Sequence, residues 1–296
     1  MSVMVNINGR LLDREHAVIS VFDHGFLYGE GVYEVLRTYD GVPFLFDRHM
    51  RRLRASGDRI RLELPLSDAD VASRFADTMA AAGLGANGKD AYIRMLVTRG
   101  VGELSYDPAG CPEPSIVIIV KPHVDPPASV FANGVKVSLV SVMRNHPGTV
   151  SPLIKSNNLL NNALGNQEAL RSGAFEAVMK NYRGEIAECS QSNIFIVKDG
   201  VALTPPPDAG LLVGITRDFL FEVAQELGVP MREQVILEPD LLAADEVFLT
   251  STTRELVPIV RVDEHVIGTG RPGAVTLSLL DGFRARARSL TASLKA

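Results

Sequence analysis

Several short stretches of this chain carry residue types that can do chemistry. The first is Ser151-Pro152-Leu153-Ile154-Lys155-Ser156-Asn157-Asn158, where apolar residues precede a lysine and small polar ones follow it, just ahead of an expected helix. An amine that attacks an aldehyde must be partly unprotonated near neutral pH, and desolvation or a nearby cation lowers a lysine pKa enough to allow it. The same residues also describe a surface lysine whose alkyl stem packs on the core. The second stretch is Gly184-Glu185-Ile186-Ala187-Glu188-Cys189-Ser190-Gln191-Ser192-Asn193. Glu188 follows an apolar alternation and precedes a small polar loop, so it could point into a cleft. A carboxylate there can keep a proton on the ring nitrogen of an aromatic cofactor, which makes the ring an electron acceptor. A solvated turn carboxylate is the plainer alternative.

Two further stretches suit an anion. In Leu211-Leu212-Val213-Gly214-Ile215-Thr216-Arg217-Asp218, Gly214 allows close backbone approach and the amides of Ile215 and Thr216 open a helix. Unpaired amides and a helix dipole worth roughly 0.3–1 kcal/mol favour a phosphate at such a point; Thr216 capping its own helix is the alternative. Thr250-Ser251-Thr252-Thr253 places hydroxyls after an apolar β run, for an anion or for an ordinary turn. Arg48, Arg51, Arg52 and Arg54 share a helix that is mostly a solvated face, although one guanidinium turned inward could neutralise a phosphate bidentately. Tyr92 and Arg94 alternate on one face of a strand, fit to hold a substrate carboxylate or to pack as a structural pair. Gly268-Thr269-Gly270-Arg271-Pro272-Gly273 matches GxGxxG, but no later strand or suitably spaced acidic residue supports a dinucleotide site, and it reads as a turn.

The elements that must position these groups follow from periodicity. Val3–Ile7, Asn8-Gly9 and Arg10–Leu12 form a hairpin signal. A strand-like stretch near Val18–Val21 precedes the glycine-rich run Gly25–Gly31. Tyr33–Thr38 is a strand, Asp47 caps a helix to about Ile60, and a second helix fits Ser67–Ala82. Ala91–Thr98 and Ser115–Lys121 are β-rich. Prolines at 122, 126 and 127 and Gly134 mark a linker over 122–134 between an N-terminal domain (1–121) and a C-terminal domain (135–296). Strands and helices then alternate, with helices at Asn158–Arg171, Thr216–Leu227 and Gly273–Leu290.

At 296 residues and 46% hydrophobic, the chain can bury a sizeable core, and its net charge of −5 excludes the basic excess of a dedicated nucleic-acid binder. Two cysteines far apart and six scattered histidines fit neither a disulfide framework nor a metal site. No apolar run reaches the roughly 18 residues of a membrane span, so a soluble cytoplasmic protein is expected.

The order and spacing of these motifs resemble the class IV (fold type IV) pyridoxal 5'-phosphate (PLP) aminotransferases, which include branched-chain aminotransferases, D-amino-acid aminotransferases and aminodeoxychorismate lyases. The resemblance runs from Phe22-Asp23-His24-Gly25-Phe26-Leu27-Tyr28-Gly29 to Gly273, and is most specific at His49-Met50-Arg51-Arg52-Leu53, Lys155-Ser156, Glu188 to Phe195, Gly214-Ile215-Thr216-Arg217 and Ala244-Asp245-Glu246-Val247-Phe248. It implies an α/β (α+β) fold of two domains, the smaller N-terminal one α/β and the larger C-terminal one PLP-binding, with the active site between them. It also implies a homodimer or larger homo-oligomer in which a loop of the neighbouring subunit closes the site. By the same resemblance Lys155 is the Schiff-base lysine and proton carrier, Glu188 the partner of the ring nitrogen, and Arg52, Ile215, Thr216, Thr252 and Ser251 the phosphate contacts. Tyr28, Tyr33, Tyr92 and Arg94 line the substrate side.

The subfamily signals are mixed. Tyr92-Ile93-Arg94 and Val97-Thr98-Arg99-Gly100-Val101-Gly102 resemble the branched-chain group, whereas Lys155-Ser156-Asn157-Asn158-Leu159-Leu160 and Ser251-Thr252-Thr253-Arg254-Glu255-Leu256 resemble the D-amino-acid group. Leu159 or Leu160 stands where branched-chain enzymes often carry a tyrosine, and Leu104-Ser105-Tyr106 where D-specific ones carry Arg-x-His. The expected activity is transamination between an amino acid, branched-chain L-amino acids first and D-amino acids second, and a 2-oxo acid such as 2-oxoglutarate. Lyase chemistry comes third, and a non-catalytic PLP-binding protein is the alternative outside enzymes.

Overall fold

Side chains along Ala91–Thr98 alternate between buried and partly exposed, as expected of a strand with one face on a core. In the computed structural model, which describes residues 2–85 and 89–294, this strand is near the middle of a six-stranded antiparallel sheet. The chain divides into two compact units: Met1–Val124 with Ile154–Asn158 and Leu290–Ala296, and Asp125–Leu153 with Leu159–Ser289.

The first unit runs β1 (Met4–Ile7), β2 (Arg10–Asp13), α1 (His24–Leu27), β3 (Gly31–Tyr39), β4 (Val42–Pro43), α2 (Phe46–Arg59), α3 (Asp68–Ala81), β5 (Ala91–Thr98) and β6 (Ser115–Pro122). Its sheet order is β2-β1-β6-β5-β3-β4. Val32, Leu36, Ile93, Met95, Ile116 and Ile118 from the strands meet Met50, Leu53, Val71 and Phe75 from α2 and α3 in one core. The Asn8-Gly9 turn has positive φ at both residues, the requirement of a type I′ hairpin. Ser67 and Asp70 close a capping box on α3.

Two local expectations fail here. Val18–Val21 forms no strand, because no neighbouring strand pairs with it, and Val18, Ile19 and Val21 are exposed. Asp47 does not cap α2: Leu45 takes that position in a left-handed conformation (φ 51°) without a side-chain cap, and Asp47 lies in the first turn. The chain has only two residues between the short β4 and the helix, and the sharp reversal falls on Leu45.

The returning segment Ile154–Asn158 lies along β3. Ser156 bridges Val32, the Tyr33 amide donates to Lys155 O (2.9 Å), and the Asn157 amide donates to Gly31 O (2.9 Å). Gly31 permits this approach, since a Cβ there would meet Asn157 Nδ2 and the Val97 carbonyl. The Lys155 segment, 20 residues beyond the start of the expected C-terminal domain, therefore counts with the first unit.

The second unit runs α4 (Ala128–Asn133), β7 (Val135–Leu139), α5 (Leu160–Arg171), β8 (Glu176–Lys180), β9 (Ile186–Cys189), β10 (Asn193–Lys198), β11 (Val201–Thr204), α6 (Ile215–Leu227), β12 (Met231–Glu233), α7 (Glu238–Leu242), β13 (Glu246–Ser251), β14 (Glu255–Val262), β15 (His265–Val266) and most of α8 (Ala274–Ser293). The strand order is β12-β11-β10-β13-β14-β7-β8-β9, with β15 on β14. The joins β11–β12, β14–β7 and β7–β8 are parallel and the others antiparallel. Val137, Val178, Ile194, Leu249 and Ile259 belong to its main core.

Candidate active site

In the first unit, β3 and β5 carry Tyr33 and Arg94 on the face opposite the helix-covered core, and Lys155 joins them. Tyr33 opposes Leu96 and Val35 opposes Arg94 in the ladder, so the alternation sends Tyr33, Arg94 and Tyr92 to one side. The Arg94 guanidinium lies 4.2 Å and the Lys155 Nζ 4.5 Å from the Tyr33 ring centroid. Neither cation has a carboxylate partner among the described residues. The backbone of Lys155 is fixed by its amide donating to Ser56 Oγ of α2 (3.1 Å). Tyr92 stacks under Lys121 (4.8 Å). Tyr28 packs edge-on against the buried His24 and at a tilt against the exposed Tyr106.

Arg52 is turned inward, as one arginine of α2 was expected to be, and its neighbour is a carboxylate. Its Nε and Nη2 donate to Glu34 Oε1 (2.6 Å) and Oε2 (2.9 Å). Glu34 lies on the core face of β3, fully buried, and its Oε2 also meets His49 Nδ1 at 2.7 Å. Burial pushes the Glu34 pKa up, but Arg52 and His49 more than offset it and hold the carboxyl well below its ordinary range. His49 is held below its ordinary value chiefly by burial, which outweighs Glu34; the charges of Arg52 and Lys155 add to the shift.

The second unit gathers Glu188, Gly214–Thr216 and the Ser251–Arg254 turn on neighbouring elements. Glu188, buried on β9, takes Arg144 Nε at 2.6 Å on Oε1. Its Oε2 accepts the Leu212 amide (3.1 Å) and faces Asn193 Nδ2 at 3.4 Å. Asn193 Nδ2 also donates to Leu212 O (2.8 Å), which ties β10 to the approach of α6. Gly214 is necessary here because a Cβ would collide with Asn193 Oδ1. Helix α6 opens without a side-chain cap, and the Ile215 and Thr216 amides donate to no group among the described residues. Thr250, opposite Asn193 in the β10–β13 ladder, has a buried Oγ1 with no hydrogen-bond partner among the described residues. Ser251 and Thr252 follow it at the end of β13.

A phosphate-bearing aromatic aldehyde such as PLP asks for an available amine, a carboxylate suited to a ring nitrogen, and unpaired donors for the phosphate. The first unit holds such an amine in Lys155, and the second holds the carboxylate and the donors in Glu188, the α6 amides and the orphaned Thr250 hydroxyl, so the residue types present in each fit the cofactor. The GxGxxG stretch does not compete. Its helix α8 has its first amides filled by Glu246, which accepts from Val275 N (3.0 Å), Thr276 N (2.8 Å) and Thr276 Oγ1 (2.7 Å). Cys189 is buried, and burial pushes its thiol pKa well above the ordinary value, so it is not a nucleophile. No cluster of metal-ligating groups occurs among the described residues.

Sequence reasoning missed Arg144, Glu34, His49, Asn193 and Glu176. Arg144 and Glu34 meet expected site residues only through long-range pairing, Arg144 preceding Glu188 by 44 residues and Glu34 preceding Arg52 by 18; His49 and Asn193 are near Arg52 and Glu188 in the chain, and Glu176 anchors the loop after Glu188 through the Gln191 amide (2.5 Å) and Ser192 Oγ (3.0 Å). Glu34 left a signal of its own, as a carboxylate at a core position of β3, and His49 and Asn193 stand in the stretches that carry the family resemblance.

Comparison with known proteins adds an independent line. The family model for class IV amino-transferases matches residues 31–262. A putative branched-chain-amino-acid aminotransferase of Methanocaldococcus jannaschii is 38% identical over 280 residues, covering 95% of each chain. D-alanine aminotransferase of Bacillus licheniformis is 33% identical over 272 residues, covering 92% of this chain and 93% of that one. The crystal structure of the Escherichia coli branched-chain amino acid aminotransferase superposes with a TM-score of 0.91 at 32% identity, covering 96% of this chain and 94% of that one.

Proposed function

The chain belongs to the class IV aminotransferases, which are PLP enzymes, and from that membership we propose that it moves an amino group between a branched-chain L-amino acid and a 2-oxo acid such as 2-oxoglutarate. The observation that carries this reading is the pair of cations on Tyr33: an amine and a guanidinium each lying over its ring, neither answered by a carboxylate of the described residues. Bound through Lys155, PLP supplies a ring that accepts the negative charge developed at the substrate Cα. Lys155 then moves the proton at that carbon, Glu188 holds the proton on the ring nitrogen, and Arg144, donating to Glu188 Oε1, holds that carboxylate in place. Ile215, Thr216, Ser251 and Thr252 donate to the phosphate, and Arg52, whose charge Glu34 already answers, is assigned to it as a further guanidinium donor. Arg94 takes the substrate carboxylate, and Tyr28, Tyr33 and Tyr92 line the substrate side.

The Tyr92-Ile93-Arg94 strand and the 38% identity to the M. jannaschii protein favour branched-chain donors. D-amino-acid transamination is the second reading, favoured by the Lys155–Leu160 run and the B. licheniformis relative. The reading includes a homodimer: Val18, Val21, Phe22, Phe26, Val101 and Leu104 leave apolar surface exposed on the first unit, suited to a second copy. It also includes a division into a domain of residues 1–121, a connection over 122–134 and a cofactor-binding domain from 135, with the Lys155 segment lent to the first. A cytoplasmic location completes it; no helix among the described residues is long and apolar enough to cross a membrane.

The test is visible absorption of the purified protein with PLP, followed by a donor panel of L-leucine, L-valine, D-alanine and one chiral primary amine, with 2-oxoglutarate and pyruvate as acceptors. The reading expects a bound-cofactor band that L-leucine discharges, and its loss together with turnover in Lys155→Ala. A band that only D-alanine discharges replaces the first substrate with the second. Undiminished turnover in Lys155→Ala overturns the assignment of the lysine.

A further inference from the structure

The turn Ser251–Arg254 ends in an arginine whose surroundings connect two loops of the second unit. Arg254 Nε donates to Ser251 Oγ at 3.2 Å, and its Nη2 stands 2.8 Å from Glu176 Oε2, held by charge rather than by an aligned hydrogen bond. Glu176 is fully buried on β8. Its other oxygen accepts the Gln191 amide (2.5 Å), Ser192 Oγ (3.0 Å) and Ser190 Oγ (3.4 Å), all in the loop between Glu188 and Asn193. One carboxylate thus fixes the loop behind Glu188 and, through Arg254, the turn that carries Ser251 and Thr252.

We propose that Arg254, anchored by Glu176, is a positioning residue that turns the Ser251 hydroxyl into a hydrogen-bond donor for the cofactor phosphate. The inference rests on the PLP reading above. A serine hydroxyl has one hydrogen and two lone pairs. With a guanidinium N–H on one lone pair, the hydroxyl hydrogen must find an acceptor elsewhere, and Ser251 gives it to no group among the described residues. Arg254 contributes little net charge to an anion, because the buried Glu176 carboxylate answers its cation. Its effect is one of direction. The planar guanidinium can reach Glu176 with one nitrogen and Ser251 with another, which a lysine ammonium does not reproduce.

The experiment is a double-mutant cycle on the dissociation constants of PLP and of pyridoxal, which lacks the phosphate, read by absorption and fluorescence. Ser251→Ala is combined with Arg254→Lys, which leaves Glu176 a cation and protects the fold. A second background, Glu176→Gln with Arg254→Gln, removes both charges together and serves if the first is unstable. Ser251→Ala weakens PLP binding roughly tenfold in the native background, the size of a charge-assisted hydrogen bond, and less than about twofold once Arg254 is replaced. Pyridoxal binding moves less than about twofold throughout. Independent, multiplying losses for the two substitutions overturn the proposal, as does an equal loss for pyridoxal. Failure of the native protein to bind PLP at all overturns the underlying cofactor reading instead, so the two outcomes are distinct.

Discussion

Helices α6 and α8 both follow a glycine, Gly214 in one case and Gly273 in the other, and both present their first amides without a side-chain cap at that glycine. At α8 the Glu246 carboxylate takes two of those amides and the Thr276 hydroxyl. At α6 the nearest side chain is the neutral Asn193, whose Oδ1 leaves no room for a Cβ on Gly214, and the Ile215 and Thr216 amides stay unpaired among the described residues. A helix N-terminus attracts an anion in either place; what differs is whether the chain has already supplied one. The stretch that matched a dinucleotide fingerprint is the one closed by its own carboxylate. The first unit repeats the contrast. Glu34, Arg52 and His49 answer one another inside the core, whereas the cations of Lys155 and Arg94 lie on an aromatic ring and meet no carboxylate among the described residues.

The strongest way to break the comparison is Gly214→Ala. The added methyl collides with Asn193, displacing either the start of α6 or the amide that faces Glu188. PLP affinity, read by spectral titration, should fall roughly a hundredfold, a loss in the range of overpacking at a tight site. Unchanged affinity would remove α6 from the cofactor site.

A smaller effect is expected from Glu246→Ala. Losing a carboxylate that accepts three hydrogen bonds at α8 should lower the unfolding free energy by about 2–3 kcal/mol, measured by denaturant titration, while PLP affinity stays within about twofold. Added sulfate should restore part of the stability, since the exposed amides can then take an external anion. A loss of PLP affinity as large as that of Gly214→Ala would show that the two N-termini do not differ as described.

The smallest effect sharpens the contrast within the first unit. His49 has a folded pKa below its ordinary 6.5, so below pH 6.5 the unfolded chain binds a proton that the folded chain does not, and stability falls with pH. Glu34, also depressed, adds a second loss once the pH drops below its ordinary 4.5. Each group contributes at most about 1.4 kcal/mol per pH unit. Urea midpoints between pH 8 and 5 should decline below 6.5, and His49→Gln should flatten that decline. A flat profile in the native protein would mean that the cluster is not sealed.

Much of the local structure was legible because its signals are short-range. The Asn8-Gly9 turn, the helix beginning about Ser67 and the β-rich run Ala91–Thr98 each depend on residues a few positions apart. Where the local signal was ambiguous it misled: Val18–Val21 has the β-branched composition of a strand but no partner to pair with, and Asp47 has the chemistry of a cap but falls inside a helix that starts from Leu45. Lys155, Glu188, Arg52 and the Gly214–Thr216 stretch could be proposed as site residues because residue type and order along the chain are preserved in the resemblance. Arg144 gave no such signal, since nothing around it marks an arginine that clasps a carboxylate 44 residues later.

The amino-acid order by itself determined the reactive groups, the periodic elements and the family, because side-chain chemistry and backbone propensity are properties of residues and their near neighbours. Only the tertiary structure decided which charges are answered. Glu246 closes α8 and Glu34 holds Arg52 because strands and helices distant in sequence bring opposite charges within hydrogen-bond reach, while no carboxylate of the described residues reaches Lys155 or Arg94. Electrostatic pairing depends on separation in space, and that separation exists only once the sheets have formed.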